Sequence, residues 1–246
     1  MTLGITALAA LGTSALSAAF GMVGGLVLMG VYGALLAPAP AIALHGITQV
    51  VANGSRALGL ARHVHLGVLG RYAIGAVVAT LLLRGLRFAP DPALLYLTLG
   101  AVPWLARALP PLPDVTRPGV APFVGALVAG VQAVCGVAGP LLDVFFLDAP
   151  LDRRAVVATK AATQTLAHLG KIVLYADSIA GAIDAPTAVA AVGAALIGTR
   201  LGAVALDRMG EGTFRTWTGR LVLGVGAIYV VRGAWALYVG QPPVSM

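Results

Sequence analysis

The first 36 residues of the chain contain no charged side chain, and further apolar stretches of membrane-spanning length recur from end to end. A membrane-spanning helix needs about 20 predominantly apolar residues, because a bilayer offers the backbone no hydrogen-bond partner outside the helix. Charged residues make up 10% of the 246 residues, against roughly 25% in an average soluble domain. The sequence therefore predicts an all-α fold, that of a polytopic helical membrane protein.

One stretch of the sequence occurs twice, and its equivalent positions lie 115 residues apart. The two copies share a glycine cluster and a Thr-Gln pair, with Gly21 matching Gly136, Gly24 matching Gly139, and Thr48-Gln49 matching Thr163-Gln164. An internal repeat in a very apolar chain is typical of transporters whose binding site lies where two pseudo-symmetric halves meet. We therefore look for a functional site between the copies.

The apolar stretches predict about eight spans in two sequence-related groups of four: residues 1–36, 41–60, 66–83, 93–109, 120–147, 153–175, 187–206 and 213–239. Four prolines among residues 110–118 are incompatible with a helix interior. We expect this segment to link a first transmembrane repeat, 1–109, to a second, 119–246. Glycine clusters within the first and fifth spans predict breaks or re-entrant hairpins there. An odd number of crossings per repeat would invert the repeats and an even number would make them parallel; the sequence leaves both open.

Polar side chains follow the second and sixth spans at helical spacing. They are His45, Gln49, Asn53 and Arg56 in the second span, and Lys160, Gln164, His168 and Lys171 in the sixth. Spacings of three and four residues place each set on one helix face. Polar residues inside a span usually face the bundle interior or a water-filled cavity. The two stripes thus predict a cavity with amide and cationic donors on both walls.

Structural roles are alternatives for several of these residues. Arg56, Lys160 and Lys171 could extend to the headgroups from helix ends. Gln49 and Gln164 lie near mid-span, where such reach is insufficient, but they could join helices by hydrogen bonds worth roughly 1 kcal/mol each. His168 could likewise be a satisfied core histidine.

The glycine clusters carry the second signal. A helix interrupted within the membrane exposes free backbone N–H groups and a partial positive charge where the next half-helix begins. Such ends bind anions, so Gly24, Gly25 and Gly139, beside cationic stripes, predict an anionic substrate. Close helix packing is the alternative, and it suits Gly24 better than Gly139, which precedes Pro140.

Asp143, close to the second glycine cluster, is costly in a membrane. It could pair with Lys160 or Arg200, or carry a proton. Asp143 and His168 are the candidate proton-coupling residues, with His45 a further candidate. The single cysteine, Cys135, excludes an internal disulfide and a cysteine-based metal cluster.

The two glycine motifs, together with Gly198-Thr-Arg200-Leu-Gly202 at the end of the seventh span, resemble the TauE/SafE sulfite exporter family. The resemblance covers nearly the whole chain, including the repeat and the span count. It implies a transporter that moves sulfite, organosulfonates or other small sulfur-containing or carboxylate anions across a bacterial inner membrane.

The favoured function is therefore a proton-coupled secondary transporter, acting as an exporter of a small sulfur-containing anion by alternating access. We expect no enzymatic activity, no catalytic or metal site and no cofactor. The expected partners are the anion, protons and lipid, with a homo-oligomer left open. The net charge of +7 is scattered over short loops and helix ends, which does not favour nucleic acid. Alternatives are transport or passive conduction of thiosulfate or a carboxylate, an accessory membrane subunit and, least favoured, an intramembrane enzyme.

Overall fold

The computed structural model describes residues 2–20, 23–179, 182–207 and 211–239, and within them every regular element is a helix. The first half contains α1 (Thr2–Phe20), α2 (Val23–Leu35), α3 (Pro38–Gly59), a short 3-10 turn (Ala61–His63), α4 (Leu66–Gly85) and α5 (Pro92–Ala108). Each predicted span of this half corresponds to one helix, except the first, which is divided into α1 and α2. Gly21, with which the first copy of the repeat begins, lies outside the described residues.

The second half contains α6 (Val120–Cys135), α7 (Gly139–Phe146), α8 (Arg153–Leu174), a single turn α9 (Ala176–Ile179), α10 (Ala185–Asp207) and α11 (Glu211–Val239). Helices α3 and α8 both have 22 residues, and both of their ends are separated by the offset of the sequence repeat. The fifth span is divided into α6 and α7 as the first is into α1 and α2. The predicted fold class, with broken first and fifth spans, is confirmed.

Both divided spans fold back on themselves as helical hairpins. A side chain at Gly24 of α2 would overlap the carbonyl oxygen of Thr13 and the backbone of Ser17, so α2 lies against α1. In the second half, the ring of Phe123 in the first turn of α6 contacts that of Phe145 in the last turn of α7, with the centroids 6.4 Å apart. The chain turns between α6 and α7 at Gly136, whose φ of +75° favours glycine.

Equivalent helices of the two halves pack in opposite directions. At one end of the α3–α8 contact His45 meets Lys171, whereas further along α3 Gly54 lies against Thr165. Residue numbers therefore rise along α3 as they fall along α8, so the two helices are antiparallel. A two-fold axis that relates antiparallel helices must run perpendicular to them. The repeats are therefore inverted, the arrangement found in transporters that bind substrate at the repeat interface.

Around the central pair of helices, α3 and α8, glycines bring other helices into backbone contact with one another. Helix α4 packs on α6 where Gly75 meets the carbonyl of Pro122, and α1 packs on α10 where Gly198 meets that of Leu11. Each of these contacts joins a helix of one half to a helix of the other. The two contacts are equivalent by the repeat, because α1 corresponds to α6 and α4 corresponds to α10. Small residues at such crossings let helices approach closely in lipid, where packing drives association.

Within the described ranges, three helical segments are long and apolar enough to cross a membrane by length and composition: Leu66–Gly85, Ala185–Gly202 and Arg220–Val239. Helices α3 and α8 reach the required length, but the polar stripes reduce their mean hydropathy. Such helices are tolerated in lipid when their polar faces point into the bundle. The chain is a multi-pass membrane protein.

Asp152, which lies outside the predicted sixth span, caps the N-terminus of α8, the helix that carries the second stripe. Its carboxylate accepts hydrogen bonds from the backbone N–H groups of Arg154 and Ala155, at 2.8 and 3.0 Å. These hydrogen bonds, of which the one from Ala155 has the larger effect, hold the pKa of the Asp152 carboxyl below its usual range. The negative N-cap also complements the helix dipole, which fixes the register at which α8 enters the bundle.

Candidate functional site

The first stripe lies on the face of α3 that points into the bundle. His45, Gln49 and Asn53 are buried, with 1%, 5% and 6% of their surfaces exposed, and Arg56 in the last turn is half-buried. The prediction that these residues share one face is thus consistent with their common burial. Their role in substrate binding stays a prediction.

The second stripe, on α8, is divided between two environments. His168 and Lys171 are buried, with 5% and 2% exposed, whereas Lys160 and Gln164 are half-buried. Because α3 and α8 are antiparallel, the buried end of the second stripe meets the beginning of the first. His45, Gln49, Asn53, His168 and Lys171 therefore form one polar cluster, and Arg56, Lys160 and Gln164 lie toward the other end of the crossing.

A continuous chain of hydrogen bonds joins the two halves within this cluster. The ammonium of Lys171 donates to the carbonyl oxygen of Gly136 and contacts Nδ1 of His45, both at 2.7 Å, while Nε2 of His45 lies 2.9 Å from the carbonyl oxygen of Gly25. A carbonyl only accepts and an ammonium only donates, so Nε2 carries the proton and Nδ1 accepts from Lys171. We call this chain, Gly25–His45–Lys171–Gly136, the bridge.

The bridge connects the two hairpins at their breaks. Gly25 lies in the first turn of α2, and Gly136 is the residue that ends α6. Gly136 caps the C-terminal end of α6, where carbonyl oxygens lack an intrahelical partner, whereas the carbonyl of Gly25 lies in the first turn of α2 and has a second lone pair to offer to His45. A buried cation needs such acceptors, because an uncompensated charge in a low-dielectric interior is strongly unfavourable.

Gln49 presents an unused donor beside the bridge. Its Oε1 accepts from Nδ2 of Asn53 at 3.1 Å, which orients the amide so that Nε2 points away from Asn53. Nε2 is buried, has no hydrogen-bond partner among the described residues, and lies 3.5 Å from the position that a Cβ on Gly25 would occupy. A buried donor without a partner is costly, so this amide is a candidate for ligand contact.

His168 is the second group of the cluster with unused capacity. Its ring lies edge-on to that of His45, with the centroids 5.7 Å apart, and its Nδ1 has no partner within the described part of the chain. The cluster thus contains one ammonium, two imidazoles and two amides, with unsatisfied atoms on Gln49 and His168. Such a set can receive hydrogen-bond acceptors around a positive charge.

Asp143, in α7, forms an ion pair with Lys160 of α8. Of the alternatives raised by the sequence, pairing with Lys160 is the one that the structure shows. Both side chains keep part of their exposure, 30% and 27%. The equivalents of this pair in the first half are Leu28 and His45, so the ion pair has no counterpart there.

The two glycines of the first motif face different neighbours. Gly24 lies against α1, as described above, and Gly25 faces Gln49 and His45. In the second motif, Gly139 is buried and begins α7, where Pro140 occupies a first-turn position that needs no N–H donor. Of Gly24 and Gly25, only Gly25 therefore faces the polar cluster.

Sequence reasoning missed the acceptors that hold Lys171. The carbonyl of Gly136 leaves no side-chain signal, and only its match with Gly21 in the repeat pointed to that position. Tyr175 was also missed: its hydroxyl donates to the carbonyl oxygen of Ala133 at 2.5 Å and so ties the end of α8 to the last turn of α6. This bond positions the end of α8 so that Lys171, one turn before Tyr175, lies beside the break between α6 and α7.

The opposite face of the central pair is apolar. A groove with a volume of about 740 Å³ lies between α3, α4 and α8, and its lining includes Val50, Gly54, Leu69, Thr165 and Leu169. None of the eight stripe residues contributes to it. The polar and apolar faces of α3 and α8 are thus cleanly separated, and the polar cluster is confined to the side of the hairpins.

Inverted repeats, two broken hairpins and a buried polar cluster between them define a membrane transporter of the inverted-repeat class. The model of the family described as Sulfite exporter TauE/SafE matches residues 6–229. The chain belongs to this family, and the resemblance noted from the glycine motifs is confirmed. No curated protein and no solved structure gives a match.

Proposed function

We propose that this protein is a secondary transporter that exports a small sulfur-containing anion, such as sulfite or an organosulfonate, across a bacterial inner membrane. The observation that carries the proposal is Nε2 of Gln49, a buried donor without a partner among the described residues, which lies in the same cluster as the ammonium of Lys171. Family membership supports anion transport in general, and the cluster supports the sign of the charge.

The physical argument begins with the positive charge. Within the cluster, the described side chains contribute one ammonium and no carboxylate, and Asp143 is occupied by Lys160. An anion that enters gains the attraction of Lys171 and a hydrogen bond from Nε2 of Gln49, which gives up no bond to any described residue. Sulfite and sulfonates present three oxygens, which suits a site with donors from more than one helix.

We further propose that transport is coupled to protons, with His168 and Asp143 as the coupling residues. His168 is buried beside the site and has a ring nitrogen without a partner, so a proton gained there would offset the charge of a bound anion. Asp143 could exchange Lys160 for a proton when the ion pair opens. Alternating access would then move the hairpins about the central pair.

Purified protein in liposomes tests the transport proposal. The flux of sulfite, thiosulfate, taurine, sulfate and acetate is measured with and without an imposed pH difference. We expect saturable flux of sulfite or a small sulfonate, accelerated by the pH difference in one direction. Flux of acetate alone would favour a carboxylate carrier, and flux unaffected by any gradient other than that of the anion would exclude proton coupling.

A further inference from the structure

The two ends of the α3–α8 crossing differ in burial, although the sequence repeat makes them equivalent. At one end His45 and Lys171 are 1% and 2% exposed. At the other end lie their repeat equivalents, Lys160 and Arg56, both half-buried, with 27% of the Lys160 side chain exposed. One end of the crossing is therefore closed by a direct contact in the described conformation, and the other is more accessible.

Inverted repeats allow the opposite conformation to be deduced. If the halves exchange their conformations, each contact is replaced by the contact between the equivalent residues. The contact of His45 with Lys171 becomes a contact of Lys160 with Arg56, because each residue is shifted by the offset of the repeat. A transporter that alternates between two states by moving inverted repeats passes through this exchange.

The exchanged contact has different chemistry. A neutral imidazole accepts a hydrogen bond from an ammonium, so the bridge is self-sufficient at its own end. Lys160 and Arg56 are both cations with donors only, and neither can accept from the other. Asp143, which pairs with Lys160, offsets one of the two charges and leaves Arg56 without a counter-charge or an acceptor among the described residues. Closing this end in a dry interior is therefore unfavourable unless an anion lies beside Arg56.

We propose that the bridge holds the anion-free carrier in the described conformation, and that the end formed by Arg56 and Lys160 closes only around an anion. This inference rests on the proposed anion transport and adds its control. The anion enters between Arg56 and Lys160, its charge permits that end to close, and the closing movement separates His45 from Lys171 and opens the other end. After release, the charge of Arg56, which Asp143 does not offset, drives the carrier back.

An aqueous thiol reagent tests the conformational part without any measurement of transport. With Cys135 replaced by alanine, a cysteine is placed at Gln49, near the closed end, or at its equivalent Gln164, near the accessible end. The labelling rates are measured in a buffer free of sulfite and sulfonates, in which gluconate, a much larger anion, balances the charge. We expect Gln164→Cys to react and Gln49→Cys to be protected. Equal rates at the two positions would overturn the proposal.

Two further substitutions separate the bridge from simple loss of structure. Lys171→Met breaks the bridge, and Arg56→Met leaves the bridge intact but removes the charge that Asp143 does not offset. Each should raise the labelling of Gln49→Cys by about tenfold or more, because each shifts the population toward the opposite conformation. Arg56→Lys keeps the charge and should keep the protection. Protection unchanged by Arg56→Met would show that the charge of Arg56 does not set the resting state.

The anion arm uses transport from both faces of oriented membrane vesicles, with sulfite as the probe. A carrier that rests in one conformation requires a higher sulfite concentration for half-maximal flux from the face that is closed at rest. Arg56→Met should reduce this difference between faces. Asymmetric labelling without any sulfite flux would leave the conformational inference standing and refute the proposed substrate, whereas flux with symmetric labelling would do the reverse.

Discussion

Replacing Gln49 by leucine is expected to reduce anion flux strongly at subsaturating concentration while the protein still folds. The substitution removes a buried Nε2 that has no partner among the described residues, so the folded state loses only the bond from Asn53 to Oε1. A hydrogen bond to a charged ligand contributes roughly 1.5–3 kcal/mol, so binding should weaken by about 10- to 150-fold. The measurement is sulfite flux in liposomes, with the melting temperature recorded in parallel.

Gln164→Leu provides the matched variant, because the two glutamines are repeat equivalents. We expect it to impair flux as well, since the anion passes both ends of the crossing. Gln49→Asn keeps an amide donor on a shorter side chain and should retain part of the flux. Normal transport by both leucine variants would mean that the stripes only join helices and that the anion binds elsewhere.

Gly24→Val is expected to prevent folding. A side chain at this position would overlap the carbonyl oxygen of Thr13 and the backbone of Ser17, which belong to α1 and cannot move aside as a flexible side chain can. Overpacking costs about 1–3 kcal/mol even where side chains can adjust, and here α2 would have to leave α1. The expected result is loss of the monodisperse peak in size-exclusion chromatography of the detergent-solubilised protein.

The neighbouring glycine supplies the control. At Gly25 the nearest atom to an added Cβ is Nε2 of Gln49 at 3.5 Å, an ordinary contact, so Gly25→Ala should fold. We expect this variant to bind anions less well, because its methyl group lies beside the free amide. Folded Gly24→Val protein with an unchanged melting temperature would contradict the hairpin packing described for α1 and α2.

The sequence was sufficient for the helices and for the faces of the stripes. Spacings of four residues in His45, Gln49 and Asn53 place them together on a helix whatever surrounds it, and a repeat without gaps transfers the same argument to α8. Polar side chains are unfavourable in contact with lipid, so their burial toward the bundle could also be predicted. These inferences depend on local geometry and on the solvent alone.

The contacts between the stripes could not be predicted in the same way. That Lys171 meets His45 rather than Arg56 depends on the antiparallel crossing of α3 and α8, which the sequence left open between two repeat orientations. The adjacent Gly24 and Gly25 show the same limit on a smaller scale. A rotation of about 100° per residue turns Gly24 toward α1 and Gly25 toward the cluster. The sequence of the motif alone does not tell which of the two glycines faces the cluster.

The inverted arrangement also bears on how the chain is inserted into the membrane. Two copies of one helical unit lie in opposite orientations, so before any fusion the same unit would have had to insert both ways to form this pair. A unit with that property has no strong excess of Lys and Arg on one side, because such an excess fixes orientation. The arginines of this chain are shared between its two sets of loops, including Arg84 and Arg87 on one and Arg62 and Arg117 on the other. The covalent connection between α5 and α6 supplies what loop charge does not: once the first half is inserted, the orientation of the second is set.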